Sequence, residues 1–91
     1  MEKETSISDF LREFRRLAAE VKAEFGARMW LVEVMGKRHS YVAGDRDDSF
    51  LPPQVVGLNE RYALVSGDWE KIPEKRKRDI IESLRAILIR Q

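Results

Sequence analysis

The chain has 91 residues, enough for one domain with a single core and too few for a second. Charged residues make up 36%, yet 17 Lys+Arg against 16 Asp+Glu leave a net charge of only +1, so the total predicts neither strong steering toward nucleic acid nor an acidic shell. With 0 Cys and the single histidine His39, the composition excludes disulfides, thiolate chemistry and multi-histidine metal sites.

Ile7, Phe10, Leu11, Phe14, Leu17, Ala18, Val21 and Phe25 recur at three- and four-residue steps, which predicts an amphipathic helix over 7–25. Ser6 and Asp9 have capping-box spacing at its start, and Gly26 follows the last stripe residue as a left-handed stop.

The period then changes to two. Residues 29–35 and 39–43 are rich in β-formers, and Gly36-Lys37 between them suits a type II′ hairpin turn. That turn pairs Met35 with Arg38, Val34 with His39, Val32 with Tyr41 and Trp30 with Ala43. The expected core face therefore carries Trp30, Val32, Val34 and Tyr41. The opposite face carries Leu31, Met35 and Val42, interleaved with Glu33, Arg38 and Ser40.

Residues 45–59 read as a loop with an acidic start and a Pro52-Pro53 stop, and Val55-Val56 fits a short strand inside it. Residues 61–65 form the next strand, ended by Ser66-Gly67-Asp68. Pro73 suits the first position of a closing helix whose stripe is Ile80, Ile81, Leu84, Ile87 and Leu88. The expected fold is one α+β domain over 1–91 in α-β-β-β-α order. Its three- or four-stranded antiparallel sheet is packed on one face by two helices.

Four features compete for function. Lys75, Arg76, Lys77 and Arg78 open the closing helix, where the macrodipole favours acids. They form either an anion or nucleic-acid contact, joined by Lys37 and Arg38 at the hairpin tip, or a solvated face with pairs such as Glu74–Arg78 and Arg78–Glu82. On the first helix, Glu13, Glu20 and Glu24 flank the stripe, while Arg12, Arg15, Arg16 and Lys22 cover the other side and back. Leu31, Met35 and Val42 on the outer sheet face, with Ile89 opposite the last helix's stripe, form a candidate interface. Asp45-Arg46-Asp47-Asp48-Ser49 opens like a calcium loop, but Phe50 stands where its glycine belongs and Val56 where its bidentate Glu belongs.

The element order resembles that of double-stranded-RNA-binding domains, with Lys75–Arg78 at the start of the last helix and Lys37-Arg38-His39 at the first hairpin tip in the matching places. The short first turn, the acidic loop before the later strand and Ile80-Ile81 in the last helix depart from that family, and layout alone assigns no function. No residue set marks a nucleophile, an acid/base pair or a phosphate loop, so the sequence predicts a non-enzymatic chain without a cofactor. The leading expectation is a small interaction module that binds a protein partner or a second copy of itself; RNA or DNA binding is the alternative. No run of 18 apolar residues and no signal-peptide core is present, so no membrane contact and a cytoplasmic location are expected.

Overall fold

In the computed structural model, which describes residues 2–46 and 52–89, the first helix α1 runs Glu2–Phe25. It begins about one and a half turns before the expected residue 7, so Ser6 lies inside the helix. Glu2-Lys3-Glu4 explain the extension, being good helix formers with acids near the positive end of the dipole. The stop is as expected: Gly26 adopts φ +67° and its N–H donates to Lys22 O at 3.0 Å.

Strands β1 (Trp30–Met35) and β2 (Arg38–Gly44) form the hairpin. Gly36 has φ +62° while no non-glycine residue among those described has a positive φ, which is the II′ pattern. Short strand β3 (Gln54–Gly57) and strand β4 (Tyr62–Ser66) follow, then a 3-10 turn at Trp69–Lys71 and helix α2 (Glu74–Ile89). The four strands are antiparallel in the order β2-β1-β4-β3. The link between α1 and β1 is tied to the end of β4. Buried Ser66 donates its hydroxyl to Arg28 O at 2.6 Å, and Arg28 N–H donates to Asp68 Oδ2 at 3.2 Å.

Both helices pack on one face, against Met29, Leu31, Ala43, Tyr62 and Leu64. Phe10, Phe14, Leu17 and Val21 of α1 and Ile80, Leu84 and Leu88 of α2 supply the other half of this core. Here the expected sheet orientation is overturned. Leu31 is fully buried beneath the helices and Val42 is half-buried against the same core, whereas Trp30 and Val32, buried as expected, lie with buried Ala63 and Val65 and half-buried Val34 in a second cluster on the opposite face.

The exchange lies in which face the helices cover, since the pairing near the turn is the expected one. The hairpin register holds from the turn as far as Val32–Tyr41, then shifts, so that Leu31 pairs with Ala43 and Trp30 with Gly44. Val42 is the extra residue of that bulge. The polar residues that marked the outer face also sit near the hairpin tip, where the Glu33 carboxylate accepts from Arg61 Nε at 2.6 Å. Tyr41, expected in the core, is 50% exposed.

Candidate functional site

The face turned away from the helices is the least ordinary surface of the molecule. A solvated antiparallel sheet alternates apolar-in and polar-out, yet this face carries Trp30, Val32, Ala63 and Val65, all buried, and half-buried Val34, with exposed Val55 beside Val65 on β3. A cavity of about 210 Å³ opens on it. Trp30, Val32 and Val65 line it from the central strands, Tyr41 from β2 and Val55 from β3, with Arg46 and Pro53 on the flanking chain. Tyr41 donates its hydroxyl to Gly44 O at 2.6 Å, which fixes the ring at the rim. Such a pocket takes an apolar side chain, with Arg46 and His39 as the polar groups at its margin. Among the described residues no three His, Cys, Asp or Glu side chains converge. Asp47, Asp48, Ser49 and Phe50 of the calcium-like segment lie outside the described residues.

The candidate interface residues divide. Met35 is 52% exposed and Ile89 82% exposed, while Leu31 and Val42 face the helices.

The candidate basic contacts divide too. Arg76 turns toward α1, donating to Glu20 at 2.8 Å and to Glu24 at 3.2 Å. Lys77 pairs with Glu74 at 2.9 Å and holds its ammonium 5.6 Å from the centre of the Trp69 ring. The expected Glu74–Arg78 and Arg78–Glu82 pairs are not among the ion pairs of the described residues; Glu74 pairs with Lys77 instead. Lys75 and Arg78 are exposed. Lys37 and Arg38 are exposed as well, but at the far end of the sheet. Strand β4 runs away from that end and leads into α2, so about 17 Å of strand separates the two groups.

The shifted ionisation equilibria belong to surface pairs. A hydrogen bond from Arg16 holds the Glu13 carboxyl below its usual range, against a smaller opposing effect of burial. The hydrogen bonds to Glu13 and Glu33 raise the Arg16 and Arg61 guanidinium groups respectively.

Sequence reasoning rightly expected Trp30 and Val32 to be buried but placed them, with exposed Tyr41, beneath the helices, and so missed the apolar cavity on the other face. The available signal was Trp30-Leu31-Val32, a run apolar on both faces, as in a strand covered on both sides. No helix among the described residues is long and apolar enough to cross a membrane. Compared with family models, curated proteins and solved structures, the chain matches none.

Proposed function

We propose that this chain is a small protein-interaction module, without catalysis, that self-associates through the exposed rim, Tyr41 and Val55, of the sheet face turned away from its helices. The observation that carries this reading is the apolar cavity walled by Trp30, Val32, Tyr41, Val55 and Val65. Its rim side chains Tyr41 and Val55 remain 50% and 44% exposed. Full burial of one such side chain contributes about 1.5–3 kcal/mol before association costs. A two-fold contact uses each residue twice, which makes a second copy the natural occupant.

Nucleic-acid binding through α2 and the hairpin tip has less support, since those cations lie at opposite ends of the sheet and Arg76 is engaged with Glu20 and Glu24. Sedimentation equilibrium at micromolar to millimolar concentration tests the proposal. The wild type should dimerise, and Tyr41→Lys and Val55→Lys should be monomers with unchanged far-ultraviolet circular dichroism. A wild type that stays monomeric throughout overturns it.

A further inference from the structure

The cavity on the outer sheet face joins apolar walls to a polar margin of one sign. Trp30 and Val32 on β1 and Val65 on β4 are buried, and both strands are paired on each side, so these walls are held in place. The Tyr41 hydroxyl donates to Gly44 O at 2.6 Å, which engages the polar end of that ring. Pro53 and Val55 complete the walls on the side of β3.

His39 lies two residues before Tyr41 on β2 and so on the same face. Arg46 follows the end of that strand, and both side chains line the cavity from exposed positions. The described residues that line it include no carboxylate. Asp45, next to Arg46, is engaged by Lys22 of α1 at 3.3 Å. Aromatic walls alone would also suit a cation. The Arg46 guanidinium is permanently charged, so it repels a cation and can hold a carboxylate through two parallel N–H donors. The His39 ring adds a further donor. A volume of about 210 Å³ lies below the roughly 300–1,000 Å³ of sites for drug-sized ligands, which limits the apolar part to a single ring.

We infer that this cavity binds a small aromatic carboxylic acid, with the ring among Trp30, Val32, Tyr41 and Val65 and the carboxylate at Arg46 and His39. Trp30 and Tyr41 favour a flat ring over an aliphatic chain. The acid contacts the cavity's interior, whereas a second copy covers its rim at Tyr41 and Val55, so the site exists in the monomer.

The probe is phenylacetate, titrated into the wild type and followed by nuclear magnetic resonance. The Trp30 indole N–H signal should shift and saturate in the millimolar range, with the Val32 and Val65 amides following it, while the Trp69 indole signal stays in place. Phenylacetamide, which has the same shape without the charge, should bind at least fivefold more weakly. Acetate, which has the charge without the ring, should not move the Trp30 signal. Arg46→Glu, an exposed substitution, should reverse the preference, so that phenethylamine binds better than phenylacetate. The inference is overturned if phenylacetate gives no saturable Trp30 shift up to tens of millimolar, if phenylacetamide binds as tightly, or if Arg46→Glu keeps the preference for the acid. Sedimentation of the same samples separates the two readings. A monomeric wild type that binds the acid upholds this site and removes self-association, and a dimer that fails to bind does the reverse.

Discussion

Gly44 and Phe14 approach so closely that no side chain fits between them: a Cβ on Gly44 would lie 2.9 Å from Phe14 Cε2 and 2.7 Å from Met29 O. The residue also holds φ +103°, which L side chains rarely adopt. Gly44→Ala should therefore cost at least about 2 kcal/mol, combining backbone strain with displacement of a core ring. Urea unfolding checks this. An unchanged midpoint would mean that α1 yields at Phe14 without cost.

Leu31 and Tyr41 should respond in opposite ways to substitution. Leu31→Ala opens a void beneath both helices and should cost about 2–5 kcal/mol, and Leu31→Lys should prevent folding. Tyr41→Ala should cost much less, because half of the ring is already in water. Thermal unfolding followed by circular dichroism, run on both alanine variants, measures the difference directly.

The Glu13–Arg16 pair sets part of the acid response. Since the native carboxyl titrates below its ordinary value of 4.5, its contribution to stability is complete above that value. It is lost as pH falls through the lowered native one. Glu13→Gln should flatten the acid limb of a stability-against-pH curve and leave the curve's shape above neutrality alone. Chemical denaturation at stepped pH reads this out, and an unaltered acid limb would assign the response to other carboxylates.

Duplex RNA offers a check on the dispersed cations. With Lys37 and Arg38 remote from Lys75 and Arg78, no more than about two phosphates can be neutralised at one contact. The logarithm of any affinity should then fall with the logarithm of salt at a slope no steeper than about −2. Anisotropy across a salt series decides it; a slope near −4 or steeper would require the two groups to act together.

Much of the architecture was legible because single residues carried unambiguous signals. The spacing of Phe10, Phe14, Leu17 and Val21 fixed the buried stripe of α1, Gly26 and Gly36 marked its stop and the hairpin turn, and Val55-Val56 marked β3. The orientation of the sheet was not legible. Trp30, Leu31 and Val32 are all apolar, so both faces of β1 present the same period, and the bulge residue Val42 has nothing in its sequence context to distinguish it from a regular strand position. The ties from Arg76 to Glu20 and Glu24 were hidden for a different reason. They join residues more than fifty positions apart, a separation on which local charge spacing is silent.

The sheet order has a kinetic consequence. Two outer ladders, β1 with β2 and β4 with β3, each join strands close in sequence, whereas the central seam pairs Leu31 with Leu64 across the middle of the chain. Closing that long loop costs entropy before the seam's contacts repay it. The two hairpins should therefore form early, with the β1–β4 seam the slow step. Substitutions at the Gly36 turn, in a hairpin already made at the slow step, would then slow folding, while those at Leu31 and Leu64 would divide their effect between folding and unfolding.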